Sequence, residues 1–177
     1  MRVVLDTNIL IQTLRNAKAG AQLYDPETGE PVDRLEARAE ALIEQIDSKD
    51  GVVLIPAPVL AEYLIGVAHD AYQTHLDLIG GTSCFEVVPF DQIAAIECAL
   101  MVNDEELRAL DTVASKAKLR VDRQIIAIAL ANNADELWTH DVGLYKKAVS
   151  CGLSCKSLAH ILPKPEQLEV SLNDGAA

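Results

Sequence analysis

Four acidic residues of this chain each stand alone in a long stretch of sequence that contains no other acid. Most of the other acidic residues lie in clusters or on helix faces whose pattern is that of a solvated surface. An isolated carboxylate among apolar or basic residues costs free energy unless a partner compensates its charge. The four candidate site residues are Asp6 within residues 1–24, Glu62 within 51–68, Asp122 within 112–134 and Asp141 within 137–165.

Carboxylates that converge on one site need either protons or a cation between them. At separations of about 4 Å they would repel by several kcal/mol per pair at an effective dielectric near 20. A cage made only of carboxylate oxygens suits Mg²⁺ or Mn²⁺ and does not suit zinc. A cation held in this way serves phosphoryl chemistry, because it can ionise an attacking water and stabilise the leaving oxygen.

Each of these acids also has a structural interpretation. Asp6 and Asp122 each precede a predicted helix, where aspartate is a common N-cap, and Asp141 is a turn acid after the predicted strand at 137–139. Glu62 has Pro58, Val59, Ile65 and Gly66 as its helical neighbours, none of which is a cation. It therefore has no intrahelical salt bridge, and its structural interpretation is an exposed acid on a helix surface.

Short apolar strands alternate with helical patterns along the chain. Strands are predicted at residues 3–5, 52–55, 85–88, 137–139 and 153–156, and helices at residues 7–15, 33–47, 59–69, 71–79, 92–101, 105–118, 123–132 and 142–150. Such alternation predicts an α/β fold of three layers (α/β/α) with a central, mainly parallel sheet of four to five strands. The carboxyl ends of parallel strands share one edge of the sheet, which is where such folds place their ligands.

The chain of 177 residues fits one domain. We predict that the domain spans residues 1–162, with an exposed loop excursion at 17–32 and a flexible tail at 163–177. No apolar run is long enough for a membrane span, the first residues do not resemble a signal peptide, and the cysteines lack zinc-site spacing. These features favour a cytoplasmic protein with reduced thiols.

The net charge of −12 argues against a general nucleic-acid coat protein, but the charge is unevenly distributed. Residues 112–160 hold more basic than acidic residues, and several of the basic ones lie close to Asp122. The candidate phosphate contacts are Lys116, Lys118, Arg120 and Arg123. Their alternative interpretation is that of ordinary solvated helix ends.

The ordered set of motifs resembles the PIN domain family over residues 1 to about 162. The motifs are Leu5-Asp6-Thr7-Asn8, Glu62 on the helix after the second strand, Asp122-Arg-Gln-Ile-Ile-Ala, and Trp138-Thr139-His140-Asp141. This resemblance implies a Mg²⁺- or Mn²⁺-dependent endoribonuclease, commonly the VapC-type toxin of a toxin–antitoxin pair.

The resemblance also implies roles for individual residues. Asp6, Glu62, Asp122 and Asp141 would be the catalytic Mg²⁺ ligands, and Thr7, Asn8 and Thr139 would support them. Many relatives carry a further acid just beyond the last ligand, where this chain has Gly143 and Leu144. The partners implied are an RNA substrate, an antitoxin protein and a second copy of the chain in a homodimer.

Three other hypotheses are open, two of them from outside the nuclease class. A receiver-like phosphoacceptor domain could recruit Asp91, Thr139 and Lys156, but receivers need adjacent acids after the first strand, where Thr7 and Asn8 follow Asp6. A PIN-like module that binds protein without catalysis would agree with the charge of −12 and with the absence of an acid at 143–144. DNA cleavage by a flap-nuclease-like form would need a duplex-binding apparatus, for which the chain is short.

Overall fold

Strands and helices alternate along the chain, as the apolar pattern predicts. The computed structural model describes residues 1–14, 22–101 and 113–165, the last range with side chains from Ala117 onward. The strands are β1 (Arg2–Leu5), β2 (Leu23–Tyr24), β3 (Pro31–Val32), β4 (Val52–Pro56), β5 (Phe85–Val88), β6 (Glu136–Trp138) and β7 (Ser154–Lys156). The helices are α1 (Thr7–Thr13), α2 (Leu35–Asp47), α3 (Ala57–Ile65), α4 (Tyr72–Gly81), α5 (Gln92–Leu100), α6 (Val113–Ala131) and α7 (Val142–Ser150), with single 3₁₀ turns at His69–Ala71 and Leu158–His160.

The central sheet has five parallel strands in the order β5-β4-β1-β6-β7. Its middle strand is β1, whose Val3, Val4 and Leu5 are fully buried, as expected for branched and aliphatic residues covered on both faces. Leu5 pairs with Trp138 of β6, which places the residues that follow these two strands side by side. The predicted three-layer α/β fold with a parallel sheet is therefore confirmed.

Helix α6 differs from the prediction of two helices meeting near residue 120. It runs unbroken from Val113 to Ala131, so Asp122 lies in the middle of a helix and is not an N-cap. The sequence offers neither glycine nor proline across this stretch, and an aspartate inside a helix costs only a fraction of a kcal/mol relative to alanine. Residues 102–112, which include the start of the predicted helix at 105–118, lie outside the described residues. Within the described residues, no helix is both long and apolar enough to cross a membrane.

Residues 22–32 of the predicted excursion at 17–32 form a small hairpin, and most of them are exposed. Strands β2 and β3 pair antiparallel, and Asp25 and Val32 are both buried. Asp25 accepts hydrogen bonds from Ser157 Oγ (2.8 Å) and from Thr28 Oγ1 (2.9 Å). The hairpin is thus attached to the segment that follows β7, where a composition-based interpretation sees only loop residues.

The beginning of the predicted tail contacts helix α2. The Lys164 backbone N–H donates to Ala37 O (3.3 Å), and the Lys164 ammonium pairs with Glu44. Residues 166–177 lie outside the described residues, so the prediction of a flexible tail remains a prediction for them.

Replacing Asp25 with alanine should lower the free energy of unfolding by about 1–3 kcal/mol at pH 7, because buried donors lose their acceptor. Burial acts to raise the pKa of Asp25, but the hydrogen bonds from Ser157 and Thr28 outweigh it and hold the pKa below its ordinary value. The carboxylate therefore contributes stability above the unfolded-state pKa, and this contribution is lost as the pH falls through the folded-state pKa. Urea denaturation at pH 7 and pH 3 measures the effect.

The matched control is Glu30→Ala, because Glu30 lies exposed on the same hairpin. Its effect should stay within about 0.5 kcal/mol, as for most surface substitutions. Equal losses in the two variants would show that the Asp25 network does not anchor the hairpin.

Candidate functional site

The four isolated carboxylates line a single cavity of about 770 Å³ at the carboxyl edge of the sheet. Asp6 follows β1, Asp141 precedes α7, Glu62 lies on α3 and Asp122 lies on α6. The cavity is also lined by Thr7, Asn8 and Lys118, and by apolar side chains that include Ile11, Ile65, Val121 and Ile125. Four elements that are distant in sequence therefore deliver one acid each to the same space.

Asp6 is held by a set of short hydrogen bonds. The Thr7 backbone N–H donates to Oδ1 (2.7 Å), while Thr139 Oγ1 (2.6 Å) and Asn8 Nδ2 (2.7 Å) donate to Oδ2. Asp6 is also the N-cap of α1, so its structural and functional interpretations are compatible. The side chain is only 6% exposed, and its orientation is fixed by Thr7 and Asn8 of α1 and by Thr139, which follows β6.

Thr7 and Asn8 extend this network to other parts of the site. Thr7 Oγ1 donates to Glu62 Oε2 (2.7 Å), which ties the end of β1 to helix α3. Asn8 Oδ1 accepts from the His140 backbone N–H (3.0 Å), which ties α1 to the turn after β6. Both residues occupy positions from which they orient neighbouring acids.

Asp141 uses its two oxygens differently. Oδ1 caps helix α7 by accepting from the backbone N–H groups of Gly143 (2.8 Å) and Leu144 (2.9 Å). Oδ2 accepts from Lys118 Nζ at 2.6 Å. Burial acts to raise the pKa of Asp141, but the Lys118 ammonium and the backbone donors outweigh it and hold the pKa below its ordinary value.

Asp6 and Asp122 show the opposite behaviour. Burial is the main cause that raises the pKa of Asp6 to about 6; the charges of Glu62 and Asp141 act in the same direction, and the hydrogen bonds from Thr139 and Thr7 act against it. Burial and then the charge of Asp141 raise the pKa of Asp122 to about 6, with only Lys118 acting against them. The carboxylates thus repel one another across the cavity, and a cation among them would relieve that repulsion.

A divalent cation fits this site through its donor chemistry. Among the described residues that line the cavity, the charged donors are all carboxylate oxygens, which suits Mg²⁺ or Mn²⁺, and one ammonium offsets four carboxylates. As their side chains are placed, no three acidic, histidine or cysteine residues of the described ranges stand close enough together to enclose a metal ion. The fit is therefore one of charge and donor type around a shared cavity.

The four predicted phosphate contacts have four different outcomes. Lys118 lines the cavity, and Arg120 is exposed on α6 but does not line it. Arg123 is only 1% exposed and lies near Cys98 of α5, so its prediction as an RNA contact is wrong. Successive residues of a helix point about 100° apart, which turns Arg123 into the core when Asp122 faces the cavity. The Lys116 side chain lies outside the described residues.

The residues that a receiver domain would need do not line the cavity. Asp91 caps helix α5 by accepting from the Ala94 backbone N–H (2.9 Å). Lys156 pairs with Glu136 at 2.5 Å on the neighbouring strand. The structure therefore offers no shared site for Asp91, Lys156 and Thr139.

His140 is a residue of this region that the sequence analysis did not single out. It is buried, with Nδ1 lying 2.8 Å from Tyr24 O and Nε2 accepting from the Leu158 backbone N–H (3.3 Å). Because Nδ1 faces a carbonyl and Nε2 faces an N–H, the partners assign the neutral tautomer protonated on Nδ1. Burial also lowers the pKa of His140. His140 thus links the hairpin to the turn that carries Asp141, and no sequence signal indicated this before the hairpin was known.

Neither models of known protein families nor curated protein sequences match this chain. Solved structures do. A chain of VapBC2 from Rickettsia felis, bound to a DNA fragment from its promoter, is 21% identical with a TM-score of 0.56, and the match covers 89% of this chain and 98% of that chain. A chain of VapBC-1 from nontypeable Haemophilus influenzae is 17% identical with a TM-score of 0.58, and the match covers 90% of this chain and 99% of that chain. A chain of DNA-bound VapBC from Salmonella typhimurium is 19% identical with a TM-score of 0.54, and the match covers 89% of this chain and 98% of that chain. At these identities the likeness concerns the fold, and the chain has the PIN-domain fold that its motifs predicted.

Proposed function

We propose that this chain is a Mg²⁺- or Mn²⁺-dependent endoribonuclease. The observation that carries the proposal is the convergence of Asp6, Glu62, Asp122 and Asp141 on one cavity. The fold supports it, because the same four acids are those that the PIN-domain motifs single out. The position of all four carboxylates around one cavity also favours a catalytic site over a PIN-like module that only binds protein.

The residues of the cavity divide the work of phosphodiester hydrolysis. Asp6, Asp122 and Asp141 would hold the cation, which supplies an ionised water and stabilises charge on the phosphate when bound. Glu62 would bind the cation or position the attacking water, since Thr7 Oγ1 holds Glu62 Oε2 in place at 2.7 Å. Thr139 and Asn8 keep Asp6 oriented through the bonds to its Oδ2.

The substrate must bring its phosphate to a strongly acidic cavity. Lys118 is the basic side chain of the described residues that lines this cavity, and it would contact a phosphate oxygen. The aliphatic side chains of Ile11, Ile65 and Ile125 form part of the wall and exclude water from one side of the reacting group. A single strand of RNA suits such a cleft better than a duplex, whose bases are stacked and less accessible.

Incubation of the purified protein with a labelled RNA oligonucleotide tests the proposal. Cleavage should require Mn²⁺ or Mg²⁺ and should stop when EDTA is added, while a DNA oligonucleotide of the same sequence should stay intact. Attack by water with the 3′ oxygen leaving would produce 5′-phosphate and 3′-hydroxyl ends. Cleavage that persists in EDTA, or products with a 2′,3′-cyclic phosphate, would contradict a metal-activated water.

We further propose that the chain acts as the toxin of a toxin–antitoxin pair. The support comes from the fold, since solved structures that share it include three VapBC complexes, two of them with DNA. A small open reading frame with a DNA-binding motif immediately upstream of the gene would support this assignment. Its product should co-purify with the chain and suppress RNA cleavage. An upstream gene without such a product would count against the toxin assignment while leaving the nuclease proposal in place.

A further inference from the structure

Lys118 contacts the oxygen of Asp141 that does not cap helix α7. Its Nζ lies 2.6 Å from Asp141 Oδ2, while Oδ1 is committed to the backbone N–H groups at the start of α7. The helix cap therefore orients Asp141 whether or not Lys118 is bound to it. A cation held by Asp141 and its neighbours would need this same Oδ2 oxygen.

Lys118 reaches the cavity because of its position on α6. It precedes Asp122 by four residues, so the two side chains lie on the same face of the helix. Its ammonium stands among the charges of Asp141, Asp122 and Asp6. The Lys118 ammonium thus lies beside the same acids that a divalent cation would bind.

The Lys118 side chain can leave this position at little cost. It is 63% exposed, whereas the Asp141 side chain is 26% exposed. A solvent-exposed lysine–carboxylate pair is weak, and its long aliphatic stem gives the ammonium many alternative rotamers. A released ammonium would remain beside the cavity, because the helix fixes its Cα.

We infer that Lys118 is a built-in counterion that competes with the divalent cation for Asp141 Oδ2 and, once displaced, contacts the phosphate of the substrate. The inference rests on the proposed metal site and adds a role that the four acids alone do not have. It predicts that loss of the ammonium changes metal affinity and cleavage rate in opposite directions. Removal of the ammonium should strengthen metal binding and weaken catalysis. If Lys118 only oriented Asp141, its removal would weaken both metal binding and catalysis.

Calorimetric titration of Mn²⁺ into the metal-free protein at pH 7.5 tests the first half. Lys118→Met should bind Mn²⁺ roughly three- to fivefold more tightly than the wild type, the range expected when an exposed ion pair no longer competes. Lys118→Arg keeps the positive charge and should restore affinity close to that of the wild type. The control Lys146→Met removes an exposed lysine from α7 and should leave Mn²⁺ binding unchanged. Circular dichroism checks that each variant is folded.

RNA cleavage at saturating Mn²⁺ tests the proposed contact between Lys118 and the substrate phosphate. Cleavage by Lys118→Met should be at least about tenfold slower than by the wild type, despite the tighter metal binding of the variant. Unchanged or weaker Mn²⁺ binding by Lys118→Met, with normal binding by the wild type, would overturn the inference alone. Tighter binding with unchanged cleavage would overturn the phosphate contact. A wild-type protein that binds no Mn²⁺ would overturn the inference and the proposed function together.

Discussion

Replacement of Asp6 by asparagine should reduce Mn²⁺-dependent RNA cleavage at least about 100-fold while the protein stays folded. Asparagine is as good an N-cap as aspartate, so the contact from the Thr7 backbone N–H to Oδ1 at 2.7 Å can persist. The charge that would bind the cation is lost. Substitution of groups that only support metal ligands costs about 10–100-fold, and a ligand itself should matter no less.

The matched control for this variant is Asp91→Asn. Asp91 also follows a strand of the sheet and caps a helix, accepting from Ala94 N–H at 2.9 Å, but it does not line the cavity. Cleavage by Asp91→Asn should equal that of the wild type. A full rate in Asp6→Asn would remove Asp6 from the catalytic site, and equal losses in both variants would point to instability as the cause.

Replacement of Asp122 by asparagine should stabilise the metal-free protein at neutral pH and remove its affinity for Mn²⁺. Burial and the charge of Asp141 raise the pKa of Asp122 from 3.8 to about 6, so the ionised form is unfavourable in the fold. For a fully buried group such a difference would correspond to about 3 kcal/mol. Solvent screening of this half-buried side chain reduces the expected gain to about 1 kcal/mol, or a rise in Tm of about 2–4 °C.

The sign of the effect with pH follows from proton linkage. A carboxyl group whose pKa is raised on folding binds its proton more tightly in the native state, so stability falls as the pH rises from about 4 to beyond 6. The Asp122→Asn variant does not lose stability in this way as the pH rises. Its advantage in Tm should therefore appear above about pH 6 and vanish near pH 4. Asparagine and aspartate have similar helix propensities, so the substitution itself should not disturb α6.

Differential scanning calorimetry in EDTA across this pH range measures the effect. The control Asp77→Asn replaces an exposed aspartate of α4 that does not line the cavity, and it should leave Tm unchanged within about 1 °C. A lower Tm for Asp122→Asn at pH 7.5, or a gain that does not depend on pH, would contradict repulsion among the site carboxylates.

The parts of the site that the sequence predicts best are those determined by local pattern. The run Val3-Val4-Leu5 identifies a buried strand, and a buried parallel strand delivers the next residue, Asp6, to the edge of the sheet. Because Glu62 and Asp141 are each isolated in sequence, we expect groups that are distant in sequence to compensate their charges. Their common position around one cavity agrees with this expectation.

Other features depend on packing that the local pattern does not contain. An aspartate suits a helix cap, so Asp122 suggested a helix boundary, whereas tertiary packing carries α6 straight through it. The same continuity directs Arg123 into the core, although its charge suggested a phosphate contact. The hairpin at residues 22–32 depends on the buried bond between Asp25 and Ser157, which are 132 residues apart. Turn-forming residues alone predict a loop there, because they carry no information about such distant partners.

The central claim is that four carboxylates form one binding site for a divalent cation. Calorimetric titration of Mn²⁺ into the wild-type protein and the Asp122→Asn variant, side by side at pH 7.5, tests it most directly. The account predicts saturable binding by the wild type and a loss of that binding in the variant. Absence of saturable binding by the wild type, or equal binding by both proteins, would contradict it.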